Sequence, residues 1–222
     1  MSDDREVVVV EHQEDDPAGL IGDWLDARAI GWTVVRPDDP EPDPATPAAI
    51  ISLGSSHSAY ADAPEWIARH RRFLRGALAA ETPVLGVCFG AQALSLAGGG
   101  AVTRAARPEV GWVDSESEQA ELSGPWLAWH SDSITAPAAA VPLARSPDAL
   151  QAFRLGRSLG IQFHPEVTPL IWSWWAESEP DLALRHLGDL DHFAAEVKAR
   201  EAELRARVFA LLDWWHSSLA QG

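Results

Sequence analysis

A short apolar run, Val84–Val87, passes through a glycine-flanked turn directly into a helical segment. The run is rich in valine, which is typical of a strand that is buried on both faces of a parallel sheet. The turn over residues 86–90 has the pattern Gly-x-Cys-x-Gly, and its glycines let a strand and a helix approach closely. The helix is predicted over residues 91–97 and should stop at the glycines of residues 98–100. A strand, a tight turn and a helix in direct succession favour an α/β architecture.

The remaining chain extends this pattern. Apolar runs predict strands at Val7–Val10 and residues 30–35 and 49–53, and helical spacing predicts helices over residues 18–27 and 64–80. Short β-like pieces follow over residues 101–163, and the chain after Pro169 should be helical to its end. We therefore predict an open, mostly parallel twisted sheet with helices on both faces and a small antiparallel β layer, formed as a single domain over residues 1–222.

The charge and cysteine content narrow the classes of function. The formal net charge is −16, and a field of that sign repels phosphate backbones and anionic lipid, so neither nucleic acid nor membrane is expected as a partner. The single cysteine excludes an intramolecular disulfide. The N-terminus lacks the features of a secretory signal and no apolar run approaches the length of a membrane span, so we expect a cytoplasmic protein.

Cys88 is the candidate nucleophile. It occupies the centre of the Gly-x-Cys-x-Gly turn, which is the thiol form of a nucleophile elbow. A position at a helix N-terminus favours the thiolate, because the exposed N–H groups and the helix dipole stabilise negative charge. The spacing alone leaves open a second interpretation, in which Cys88 is a small buried hydrophobe.

His164 and Glu166 are the candidate base and its orienting carboxylate. They follow an apolar strand in the sequence His-Pro-Glu, and Pro165 favours an extended backbone at His164. Residues two apart in an extended chain point to the same side, so both side chains can reach one target. A histidine accepts the proton of a thiol, and a carboxylate fixes its tautomer. Alternatively, the pair is a buried histidine followed by a helix cap.

Residues 83–92 and 160–167 together resemble the two signature motifs of class I glutamine amidotransferases. The resemblance implies a γ-glutamyl thioester on Cys88, with ammonia released and water freeing glutamate. It implies that Gln92 contacts the bound glutamine. It also likens residues 129–133, with His130, Ser131 and Asp132, to the family loop that holds the amino-acid head of the substrate.

The oxyanion hole departs from the pattern of the family, which usually has Gly-Gly-Pro after the third strand. Here the corresponding segment is Gly54-Ser55-Ser56. Backbone N–H groups form such a hole, so Gly54 and Ser55 on one side and Phe89 on the other are its expected members. The missing proline is expected to loosen the loop.

We expect no cofactor, and because no cluster of Cys or His suggests a metal site, we predict no metal. The predicted activity is hydrolysis of the glutamine amide, with ammonia passed to an acceptor on a separate synthase subunit. Two alternatives stay open: a γ-glutamyl hydrolase or peptidase that acts alone, and a catalytically weak binding module that regulates a partner. The three intact candidate residues argue against the binding module, whereas the change at Ser55 and Ser56 keeps it open.

Overall fold

The computed structural model describes residues 5–220. Nine strands form one sheet in the order β2-β1-β3-β4-β9-β8-β7-β5-β6. The strands span Val7–Val10 (β1), Trp32–Val35 (β2), Ala49–Ser52 (β3), Val84–Val87 (β4), Ala101–Ser117 (β5), Gly124–Thr135 (β6), Val141–Arg145 (β7), Leu150–Leu155 (β8) and Ser158–Ile161 (β9). The helices span Gly19–Ala27 (α1), Glu65–Ala79 (α2), Phe89–Ala97 (α3), Pro169–Ser178 (α4), Pro180–Leu187 (α5) and Leu190–Leu219 (α6).

The five strands β2, β1, β3, β4 and β9 are parallel. Helix α1 connects β1 to β2, α2 connects β3 to β4 and α3 follows β4, whereas the connection from β2 to β3 contains no helix. Strands β1, β3, β4 and β9 are buried along their whole length, and their only polar side chains are those of Ser52 and Ser158. This is expected where helices cover both faces of a sheet. One apolar cluster joins this sheet to α1 and α6, and a second joins its other face to α2 and α3. The parallel strands end at the edge that carries Cys88.

Strands β8, β7, β5 and β6 are antiparallel and continue the same sheet beyond β9. Strands β5 and β6 form a ribbon much longer than the short pieces expected from the sequence. Its register shifts between Arg104 and Glu109, so that Asp132 pairs with Arg104 and His130 with Glu109. The ribbon brings these β6 residues to the edge of the sheet that carries Cys88.

Two local predictions need correction. Residues 129–133 were expected to form a loop but lie inside β6, where alternate side chains are buried and the backbone pairs with β5. Helix α3 begins at Phe89, two residues earlier than predicted, because Cys88 itself is the N-terminal cap of the helix. The predicted helical C-terminus is confirmed as α4, α5 and α6 for the described residues, whereas Gln221 and Gly222 lie outside them. Among residues 5–220, no helix has both the length and the apolar character needed to cross a membrane.

Candidate active site

Cys88 occupies a strained turn between β4 and α3. Its backbone has φ 48° and ψ −105°, a left-handed region that residues with a Cβ atom rarely adopt. Such a conformation costs about 1–3 kcal/mol and persists only when the surrounding structure enforces it. Here the N–H group of Cys88 donates to Ile161 on the neighbouring strand, and its carbonyl accepts from Gln92.

Two glycines make this turn possible through close approach of backbones. A Cβ atom on Gly90 would lie 2.0 Å from the carbonyl oxygen of Ser52, and one on Gly86 would lie 2.7 Å from the carbonyl oxygen of Gly90. The N–H group of Gly90 donates to the carbonyl of Leu53. The start of α3 is therefore fastened to the ends of both β3 and β4, and the thiol is held at their common edge.

The sulfur of Cys88 faces polar groups despite being largely buried. It lies 3.7 Å from Nε2 of Gln162, which can donate to it, and 3.9 Å from the carbonyl oxygen of Trp129. Cys88 also lines a cavity of about 560 Å³, so the thiol has access to a ligand. Gln162 belongs to the motif of residues 160–167, but no pattern in the sequence identifies it as a neighbour of the thiol.

His164 and Glu166 form a buried pair. Nδ1 of His164 lies 2.6 Å from Oε1 of Glu166, so the carboxylate sets the imidazole tautomer and leaves Nε2 for the other side of the ring. Nε2 is buried and makes no hydrogen bond within the described residues. Burial by itself would lower the pKa of His164, but the charges of Glu166 and of a Cys88 thiolate together raise it well above the ordinary value of 6.5.

The two segments expected to form an oxyanion hole both end at this edge. The N–H groups of Ser55 and Phe89 donate to no acceptor among the described residues, whereas those of the neighbouring Ser56 and Gly90 are engaged by Gln13 and Leu53. Free N–H groups are what such a hole requires. The bond from Ser56 to Oε1 of Gln13, at 2.6 Å, supplies a restraint on a loop that lacks the usual proline.

The four residues expected to bind substrate all line the cavity: Gln92, His130, Ser131 and Asp132. Nε2 of His130 lies 3.0 Å from Glu109, and Asp132 accepts a hydrogen bond from Ser58. Glu109 lies on β5 directly opposite His130, and its carboxylate restrains the orientation of the imidazole. The side chains of His130 and Asp132 therefore have defined orientations before any ligand arrives.

The far wall of the cavity comes from elements that were not assigned to the site. Trp175 of α4 contacts the imidazole of His164 at a centroid distance of 4.5 Å, and its Nε1 donates to the carbonyl of Asp15. Trp129 donates to Glu179 at the junction of α4 and α5. The first helices of the C-terminal region thus close one side of the site.

Asp16 is a further residue that the sequence did not indicate. Atoms of Asp16, His164 and Glu166 that could bind a metal ion lie within 4.8 Å of one another, the only such cluster among the described residues. Within this cluster, Nδ1 of His164 and Oε1 of Glu166 already form a hydrogen bond. The expectation that no metal binds stays a prediction.

A family model described as class-I glutamine amidotransferase matches residues 24–171, which is more than half of the chain. The chain belongs to the class-I glutamine amidotransferase family. This membership confirms the predicted family and the predicted enzyme class.

Curated relatives and solved structures agree with this assignment. The glutamine-hydrolysing GMP synthase of Thermus thermophilus is 35% identical over 132 residues, which cover 54% of this chain and 25% of that protein. The GMP synthase of Thiobacillus denitrificans is 32% identical over 146 residues, with 55% and 26% covered. The chain therefore spans about a quarter of the length of these relatives.

The predicted fold class is confirmed by two crystal structures. A glutamine amidotransferase from Methylobacillus flagellatus is 25% identical with a TM-score of 0.87, and the match covers 96% of this chain and 95% of that chain. A glutamine amidotransferase from Thermotoga maritima, 22% identical, has a TM-score of 0.85 with 95% and 97% covered.

Proposed function

We propose that this protein hydrolyses the side-chain amide of glutamine through a γ-glutamyl thioester on Cys88. The observation that carries the proposal is the strained cysteine at the start of α3 beside the buried His164–Glu166 pair, with thiol and imidazole lining one cavity. Membership of the family supports glutamine as the substrate.

The reaction requires two proton transfers for each acyl transfer. His164 takes the proton of Cys88, and the thiolate attacks the amide carbon while the N–H groups of Ser55 and Phe89 stabilise the oxyanion. The imidazolium then protonates the leaving nitrogen, the carbon–nitrogen bond breaks and ammonia departs. His164 next takes a proton from water, whose oxygen attacks the thioester, and the proton returns to sulfur as glutamate leaves. Glu166 stabilises the imidazolium throughout.

The substrate head is assigned to the β6 residues. Glutamine carries an α-ammonium group and an α-carboxylate, and the cavity offers the carboxylate of Asp132 for the first. Arg104 lies 3.8 Å from Asp132 and is the only Arg or Lys among the described residues that line the cavity, so its guanidinium is assigned to the α-carboxylate. Gln92, on α3, supplies a neutral side-chain amide that can hydrogen-bond to the substrate.

The ammonia acceptor is proposed to be on a separate synthase subunit. The matched relatives are named as glutamine-hydrolysing GMP synthases, and this chain spans about a quarter of their length. The experiment measures ammonia release from glutamine by wild-type protein and Cys88→Ala, each with and without extract of the source cells. Turnover by wild type that rises with extract and is absent in Cys88→Ala supports both the role of Cys88 and the separate synthase subunit. Equal release by the two proteins would contradict the proposal.

A second candidate is a γ-glutamyl hydrolase that acts alone on a larger γ-glutamyl compound. The cavity volume of about 560 Å³ favours it, because pockets of about 300–1,000 Å³ hold drug-sized ligands, which are larger than glutamine. Measuring hydrolysis of a panel of γ-glutamyl peptides and amines beside glutamine distinguishes the two candidate functions. A kcat/KM at least tenfold higher for a member of the panel, unaffected by extract, selects the second candidate.

A further inference from the structure

Asp16 is a buried carboxyl group for which the proposed thiol chemistry has no use. It lies in the loop between β1 and α1 and is only 2% exposed. A Cβ atom on Gly54 would lie 2.0 Å from Oδ2 of Asp16, so the carboxyl group rests directly against the proposed oxyanion loop. Its position beside His164 and Glu166 makes it a fourth ionisable side chain at the centre of the site.

The loop that carries Asp16 is held firmly from both sides. The N–H group of Ala18 donates to Glu11, and the carbonyl of Asp15 accepts from the indole of Trp175. The N–H group of Leu20 donates to the carbonyl of Glu166, which ties the start of α1 to the His-Pro-Glu segment. These contacts hold Asp16 in place, at the wall of the same cavity that Cys88 and His164 line.

Two carboxyl oxygens in this cluster lack a hydrogen bond within residues 5–220. They are Oδ1 of Asp16 and Oε2 of Glu166, and both are buried. Leaving a buried polar atom unsatisfied costs about 1–3 kcal/mol, and more when the group is charged. Two adjacent carboxylates also repel each other. One proton shared between the two groups removes both costs, because a protonated carboxyl group donates and a carboxylate accepts.

The surroundings decide which group holds the proton. Glu166 faces the imidazole Nδ1 of His164, which favours the carboxylate form at that position. Burial raises the pKa of Asp16 well above its ordinary value, and the charges of Glu166 and Asp15 raise it further, while His164 acts in the opposite direction. The proton therefore belongs on Asp16.

We propose that Asp16 is a positioning residue, a neutral carboxylic acid that donates a hydrogen bond to Glu166 and so holds this carboxylate against His164. A thiolate, an imidazolium and a carboxylate then share the buried site without a second uncompensated negative charge. The protonation of Asp16 does not depend on the substrate, whereas its kinetic consequence rests on the proposed function.

The protonation is tested by infrared difference spectroscopy on the free protein at neutral pH. The spectrum of wild type minus Asp16→Asn should show the C=O stretch of a protonated carboxylic acid, which is well separated from the carboxylate bands. The matched control is Asp15→Asn, which should leave that band in place. A difference spectrum with only carboxylate bands would overturn the proposal, as would a stoichiometric metal ion that is found in wild type by elemental analysis and lost in Asp16→Asn.

The positioning role is tested by comparing Asp16→Asn with Asp16→Leu on glutamine. The amide of Asn can donate the same hydrogen bond, so kcat should fall by less than about tenfold, whereas Leu should cost about a hundredfold with little change in KM. Equal losses in both variants, or a raised KM at constant kcat, would overturn the role and indicate direct contact with substrate. If wild type itself fails to turn over glutamine, the proposed function fails, and the infrared result still decides the protonation.

Discussion

Glu166 is the residue whose surroundings decide how the imidazole of His164 is charged. It is fully buried and touches Nδ1 at 2.6 Å. Among the causes that raise the pKa of His164, the charge of Glu166 is the largest, and it outweighs the opposing effect of burial together with Cys88. The raised pKa favours the imidazolium form of His164, which the proposed mechanism uses to protonate the leaving nitrogen.

Replacing Glu166 with Gln should alter the pH dependence as well as the rate. Because the pKa of His164 is raised above its ordinary value of 6.5, wild-type activity should fall only as pH rises through that raised pKa. In Glu166→Gln the fall should begin at lower pH, and kcat should drop by about a hundredfold or more. His164→Ala should cost more, about 10⁵-fold. Profiles of kcat against pH measure both effects. An unshifted alkaline limb, or a greater loss in Glu166→Gln, would reverse these roles.

Single residues were predicted to different degrees. Cys88, His164 and Glu166 stand in two short segments whose strand-ending patterns are visible in the sequence, and the structure brings all three to one sheet edge. Asp16 was not found, because its only signal is a position just after β1. Its approach to Glu166 depends on how β1 and β9 are ordered in the sheet, which local patterns do not encode.

The junction of β3, β4 and α3 is the element on which the site depends. Helix α3 starts where the backbone of Gly90 touches Ser52 at the end of β3. A methyl group cannot fit at 2.0 Å from a carbonyl oxygen, so the helix must move away from β3 when a Cβ atom is added. Any such movement carries Cys88 and the N–H group of Phe89 with it.

Gly90→Ala is therefore expected to lower the free energy of unfolding by about 1–3 kcal/mol and to reduce activity in the protein that still folds. The matched control is Gly31→Ala, whose new Cβ atom would find its nearest neighbour, Glu6, at an ordinary 3.5 Å. That substitution should change stability by less than about 1 kcal/mol. Urea unfolding of the three proteins makes the comparison. Equal stability of Gly90→Ala and wild type would show that the junction is not tightly packed.

Elements with a single strong period were predictable, and the ribbon of β5 and β6 was not. Strands such as Val7–Val10 and helix α2 follow directly from apolar spacing. Strand β5 instead mixes charged, small and proline residues over 17 positions, and most of its side chains are not buried. The strand is formed through its pairing with β6, which its own composition does not predict. The β6 residues that line the cavity were expected in a loop because the family resemblance placed them there.

At the scale of the whole molecule, the net charge of −16 is the dominant electrostatic property. Like charges distributed over one compact body repel one another and destabilise the folded state. Dissolved salt screens this repulsion over about 10 Å at 0.1 M ionic strength.

The thermal midpoint at pH 7 should therefore rise as NaCl is increased from about 0.01 M to about 0.5 M, by about 2–4 °C for each kcal/mol of repulsion removed. The internal control is the same titration near the sequence isoelectric point of about 4.7, where the net charge is small and the rise should be much reduced. Calorimetry or circular dichroism gives both series. Equal increases in the thermal midpoint at the two pH values would show that the effect does not come from the net charge.

The central step of the proposed mechanism is formation of the γ-glutamyl thioester on Cys88, and one measurement can detect it directly. Wild-type protein is mixed with glutamine, quenched in acid within one turnover and examined by intact-protein and peptide mass spectrometry, with Cys88→Ala treated in parallel. We expect a γ-glutamyl adduct on the peptide that contains Cys88, accumulating in wild type and absent from Cys88→Ala. Ammonia release by wild type without any adduct on Cys88, or undiminished release by Cys88→Ala, would contradict it.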